Sequence, residues 1–207
     1  MKVSALNHGG SPLPEISGVS EPGSCSDGSS IASQTPRIPY GMSSEFYPSL
    51  QKLLKQSPLN GTRMLGLASE EVFDGFGAFG RAVNIGTQLD PALREVVILR
   101  VGYLSGASYV LQQHEAKART LDILNDQITA IRQGGPQPEV LSNQQQAVMD
   151  FTDDVVKNVR ASDDTLGAVR QYLSDRAVAD LVLLIGCYMG ISRYMETMGV
   201  PLERIEI

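Results

Sequence analysis

Glu95 and His114 are the two side chains whose types and spacing best suit proton-transfer chemistry. They stand nineteen residues apart, on either side of a Ser105-Gly106 break. If the segments flanking that break are antiparallel helices, Glu95 lies roughly ten residues before the turn and His114 roughly eight after it, so the two can face each other. A carboxylate against an imidazole fixes the ring tautomer and favours its protonated form, giving a group that donates or accepts a proton near neutral pH. A single histidine near a glutamate is also what an ordinary surface ion pair looks like, and spacing alone leaves both readings open.

The elements that must position this pair read as helices. From Glu45 onward apolar residues recur at helical spacing, with no convincing alternating strand, so the fold class is all-α. Leu50, Leu53 and Leu54 mark a first helix and "LNGTRMLGLAS" a short second one. A third is capped by Ser69 and carries Val72, Phe73, Phe76, Phe79 and Val83 on one side. The helix holding Glu95 has the clearest start, with Asp90 as N-cap and Pro91 at the first helical position. Ser108 is placed to cap the helix holding His114. Asn125 opens a short helix to about Gln133, Ser142 with Gln145 makes a capping box, and Ser162 and Ser174 cap the last two helices. Gly199 and Pro201 end the final helix. Short connections between helices imply an antiparallel helical bundle.

Composition narrows the classes. A chain of 207 residues, 42% of them apolar, supports one domain with a substantial core. Residues 1–35, rich in Gly, Ser and Pro, read as a disordered tail, leaving 36–207 as the domain. The net charge of -6 and the lack of a Lys/Arg cluster speak against nucleic acid. The apolar stretch from Ala177 to Ile191 is interrupted by Asp180 and reads as a buried helix, not a membrane span. The first residues do not form a secretory signal, and the folded region holds a single thiol, Cys187; a cytoplasmic location fits. "GFGAFGRA" lies in a phenylalanine-periodic helix with no preceding strand, unlike a dinucleotide loop, and the pairs Asp153-Asp154 and Asp163-Asp164 lack the partners of a metal site.

The segment "LREVVILRVGYLSGASYVLQQHEAKA" closely resembles the core motif of the carboxymuconolactone decarboxylase and alkylhydroperoxidase D-like (AhpD-like) family. The resemblance runs from "PRIP" through "PLNGTRML" and "LNDQI" to the terminal "LVLLIGCYMGISRYMETMGVPLE". In the peroxidase branch a Glu, a Cys-x-x-Cys pair and a His form a proton relay. Glu95 and His114 match the Glu and His, while the cysteine positions fall on Ala107 and Val110. Neither residue can form the thiolate and resolving thiol that peroxide reduction needs.

The resemblance is therefore to the cysteine-free branch, which includes the lactone decarboxylases. It implies cofactor-independent decarboxylation or proton transfer on a small, anionic organic acid or lactone, with His114 and Glu95 as the acid–base pair and no metal. Tyr109 and Gln113 are expected as substrate contacts, against the alternative of plain packing. Arg100 and Arg193 match positions commonly arginine in that family and are candidates to hold a carboxylate, against the alternative of structural ion pairs. A homo-oligomer, trimer or hexamer, is also implied. The rival readings are a hydroperoxidase dependent on Cys187 and a noncatalytic oligomer that binds small acids. One departure is Asp122, where many relatives have a helix-ending glycine.

Overall fold

The computed structural model describes residues 35–41 and 45–204. The tail expected over residues 1–35 lies almost wholly outside the described residues.

Nine α-helices and no strand occur among the described residues: α1 (Pro48–Gln56), α2 (Asn60–Leu65), α3 (Glu70–Ile85), α4 (Pro91–Ser105), α5 (Ser108–Thr120), α6 (Asn125–Gln133), α7 (Asn143–Asn158), α8 (Asp163–Val169) and α9 (Asp175–Met198). The all-α expectation holds.

At the centre stands α4, buried on nearly every side from Leu93 to Gly102. It starts where the sequence predicts. The Asp90 carboxylate accepts hydrogen bonds from the N–H groups of Ala92 and Leu93 (2.9 and 3.1 Å), and Pro91 occupies the first turn. One side of α4 (Leu93, Val97, Ile98, Val101) enters a large core with Val148 and Phe151 of α7 and with Leu181, Leu184 and Ile185 of α9. The other side (Val96, Leu99) closes a second core with Ala118 of α5, Ile128 and Ile131 of α6, and Met149 of α7. A helix between two cores must be apolar almost all round, and the run "VVIL" at Val96–Leu99 reflects this.

The turn from α4 to α5 sets the site. Gly106 takes a left-handed conformation (φ 61°) that a Cβ would disfavour, and the N–H of Ala107 bonds back to the carbonyl of Gly102 (2.9 Å). The chain reverses within two residues, and α5 packs along α4.

Four other boundaries match expectation: the Ser142–Gln145 capping box, the side-chain caps of Ser162 and Ser174, and the left-handed Gly199 (φ 64°). Three details differ. Ser69 occupies the N-cap position of α3, but its side chain makes no cap bond. Ser108 is inside α5 and does not cap it; its backbone N–H instead donates to Glu196 Oε1 of α9 (2.7 Å), so a carboxylate from another helix meets the positive end of α5. In α3 the expected apolar stripe divides: Val83 is buried and Phe76 packs inward, while Val72 and Phe79 are exposed.

By length and composition α9 is the one described helix able to cross a membrane, because it extends past the apolar run at both ends. Here Leu181, Leu184, Ile185, Tyr188 and Met195 face the protein core, whereas Val182 and Leu183 are exposed. Asp180 is partly exposed, so water can solvate its carboxylate.

Candidate active site

Glu95 is in the second turn of α4 and is fully buried. An isolated carboxylate there would be costly, so its partners are informative. The antiparallel α5 supplies both. His114 Nδ1 lies 2.6 Å from Glu95 Oε2, and Lys117, three residues further along α5, brings Nζ to 2.7 Å from Oε1. Burial pushes the Glu95 carboxyl up, but the hydrogen bonds and charges of His114 and Lys117 outweigh it and hold the group below its ordinary value. Glu95 is thus an anion with one cationic and one titratable partner.

With Nδ1 against the carboxylate, Nε2 is the ring nitrogen left for chemistry. The His114 side chain is 16% exposed, enough to meet a small molecule while largely shielded from bulk water. The ring also meets Tyr188 of α9 edge-on, with centroids 5.0 Å apart and planes at 89°. The Tyr188 hydroxyl donates to Asn84 Oδ1 (3.0 Å), and the Asn84 amide donates to the Gly80 carbonyl (2.8 Å). Burial raises the Tyr188 phenol, so it stays protonated. The last turn of α3 therefore locks the ring that flanks His114.

Arg94 is the cation beside this group. Its charge acts on the Tyr188 phenol, one Nη donates to the Leu89 carbonyl, and its Nε is buried with no hydrogen-bond partner. No described ion pair involves it.

The other expected site residues are dispersed. Gln113 is half-buried and makes no described hydrogen bond; its neighbour Gln112 instead pairs with the Glu203 backbone in both directions (2.7 and 3.0 Å). Tyr109, expected as a substrate contact, has its hydroxyl engaged within the protein. Its buried hydroxyl donates to Glu203 Oε1 (2.7 Å) and accepts the Gly61 N–H (2.9 Å), and the same Glu203 oxygen accepts the Asn60 N–H (2.6 Å). Tyr109 is part of a strap fastening the C-terminal segment to α2 and α5.

Arg100, a candidate either to hold a carboxylate or to form a structural ion pair, makes an ion pair. Its guanidinium is buried, makes a two-pronged contact with Asp153 of α7, and donates to the carbonyls of Ile131 (2.9 Å) and Arg132 (3.1 Å). A Cβ at Gly134 would collide with it, so glycine there makes room for the pair.

Arg193 is exposed and donates to the Met189 carbonyl (3.0 Å). It lines an open cleft of about 520 Å³ with Lys157, Ser192 and Glu196. None of Glu95, His114, Lys117 or Tyr188 lines that cleft.

Sequence reasoning missed Lys117, Tyr188, Asn84 and Arg94. For Lys117 a signal existed: His-x-x-Lys places both side chains on one helical face. The others lie on separate helices and carry no local mark.

Thiol chemistry has no support in the geometry. Ala107 and Val110 are buried apolar residues, and burial raises the thiol of Cys187, opposing thiolate formation.

Comparison with known proteins follows the same lines. Residues 70–136 match the model of the carboxymuconolactone decarboxylase family. No curated protein matches the chain. Among solved structures, the chain is similar to an alkylhydroperoxidase AhpD core protein, an uncharacterized peroxidase-related protein from Ralstonia eutropha, at 17% identity and a TM-score of 0.70, covering 83% of this chain and 94% of that one. An uncharacterized peroxidase-related protein from Silicibacter gives 18% identity and a TM-score of 0.66, with 81% and 91% covered. A Cys-to-Ala variant of the debrominase Bmp8, in complex with 2,3,4-tribromopyrrole, gives 12% and 0.62, with 75% and 84% covered. Such identities speak for the fold alone. The segment that carries Glu95, His114 and Lys117 thus bears the pattern of the carboxymuconolactone decarboxylase family, within an AhpD-like helical fold.

Proposed function

We propose that this protein is a cofactor-independent acid–base enzyme acting on a small anionic organic acid or lactone, with decarboxylation of a carboxymuconolactone-type substrate as its reaction. The observation that carries this reading is the 2.6 Å contact between buried Glu95 and His114, which leaves the imidazole one free nitrogen in a shielded position.

In such a substrate the bond to the carboxylate carbon breaks, carbon dioxide leaves, and the electron pair moves into the conjugated lactone carbonyl. The resulting dienolate needs one proton on carbon, delivered from His114 Nε2. Glu95 holds the ring and stabilises its charged form, and the neutral ring recovers its proton from solvent. We assign to Arg94 the binding of the second carboxylate, since it is a partly buried cation beside Tyr188 with no acidic partner among the described residues. The absence of cysteine at positions 107 and 110 disfavours the peroxidase alternative.

Incubation with 4-carboxymuconolactone, followed by proton NMR, tests this reading. Product formed by the native protein and lost in His114→Ala is the expected result. No turnover by either would remove the decarboxylase assignment.

Self-association is part of the same reading. Val72, Phe79 and Ile85 on α3, together with Val182 and Leu183 on α9, are large apolar side chains exposed on two helices packed against each other, and a second copy of the chain would cover them. Sedimentation analysis should therefore give a homo-oligomer; a monomer would count against it.

A further inference from the structure

Glu95 is a buried anion with both oxygens engaged by different helical positions of α5: His114 at Oε2 and Lys117 at Oε1. The two partners are not equivalent. The lysine ammonium, about half exposed, is charged throughout the neutral range, whereas the imidazole is charged only when it holds a second proton. Two cations on one carboxylate leave an excess positive charge; one cation balances it.

We infer that Lys117 is a positioning residue that supplies the standing counter-charge of Glu95, leaving His114 uncharged in the empty site. The imidazole then donates Nδ1–H to Glu95, and Nε2 carries a lone pair. The second proton is taken up when an anionic substrate enters and restores the charge balance. Proton uptake on binding rests on the acid–base reading above, but the role of Lys117 in the empty site does not.

The surroundings of His114 are consistent with this assignment. From α4 it faces Glu95, with Arg94 one residue earlier acting on the neighbouring Tyr188. From α9 it faces Tyr188, whose phenol is kept neutral by burial. On its own helix, Glu115 is directed elsewhere, accepting from the Tyr103 hydroxyl (2.8 Å) and pairing with Arg119 (3.3 Å). Glu95 is therefore the anion in contact with His114, and Lys117 the cation that shares it.

Removing the Lys117 charge while keeping its apolar stem should transfer the whole balancing task to the imidazole. The test is an NMR titration of the imidazole resonances in the full-length native protein and in Lys117→Met, without substrate. The chain's other histidine is His8, and His114→Gln assigns the signals. The expected result is an upward move of the His114 midpoint by about one pH unit or more in Lys117→Met, with Lys117→Arg staying near the native value.

An unchanged or lowered midpoint in Lys117→Met, or an equal rise in Lys117→Arg, would overturn the inference. Circular dichroism checks folding, and Lys117→Gln serves as the second charge-removing variant. Because the readout needs no turnover, failure of the decarboxylase assay and failure of this inference are separately visible.

Discussion

Two buried charged side chains lie five residues apart on α4, and they are treated in opposite ways. The Arg100 guanidinium is closed off: Asp153 takes two of its nitrogens, backbone carbonyls of α6 take the third, and Gly134, lacking a Cβ, leaves just the room it needs. Glu95 is as deeply buried, but it is connected outward through an imidazole with a free nitrogen and through a half-exposed lysine. A network whose every group is committed to another part of the fold can only support structure. One that reaches the surface through a titratable ring can also exchange protons. The same helix thus carries one charge enclosed by the fold and one connected to its surface, and partners, not burial, separate them.

The sharpest way to break this contrast is to remove one member from each side. His114→Ala should lower turnover of a competent substrate by about 10²- to 10⁴-fold. Its unfolding free energy should fall far less than that of an Arg100 variant, because Lys117 still balances Glu95. Arg100→Met should do the reverse, costing about 3 kcal/mol or more of stability by leaving Asp153 without its main partner. Urea unfolding and initial rates, measured on both variants, check the pair; equal stability losses would erase the distinction.

Acid extends the comparison. Burial pushes Asp153 up, but Arg100 and Lys157 outweigh it and hold the carboxyl below its ordinary value, as His114 and Lys117 do for Glu95. A depressed carboxyl adds stability that is fully present above its unfolded value and is lost as pH falls through the folded one. Stability should therefore hold between pH 7 and 5 and decline below about pH 4. Asp153→Asn should flatten that decline while lowering the neutral plateau, as urea unfolding at stepped pH would show.

The smallest effect concerns Arg94. If it holds substrate, Arg94→Met should raise KM by about tenfold with a smaller change in kcat, the pattern of lost ground-state binding. A changed kcat at constant KM would assign it to the chemistry instead.

The sequence made α4 and its turn readable because their determinants are local. Asp90, Pro91 and Gly106 act within a few residues of themselves, and together they bring Glu95 opposite His114. The roles of Tyr109 and Arg100 were not readable in the same way: their partners, Glu203 and Asp153, are 94 and 53 residues away. Ser108 failed as a cap for a related reason, since a glutamate on α9 reaches the same helix end. The outward turn of Phe79 depends on which side of α3 meets α9, and periodicity alone does not choose between sides.

The strap at Glu203 gives the segment that follows α9 leverage over the interior. Tyr109 and Gln112 hang from it five and two residues before His114, while Asn60 and Gly61 of α2 anchor the other side. A cut after Leu202 would strip two hydrogen-bonding positions from the same helix that presents the imidazole, and a fusion joined tightly behind Glu203 would pull on them. For anyone preparing this protein, the position of an affinity tag is thus a choice about the setting of His114 as well as about purification.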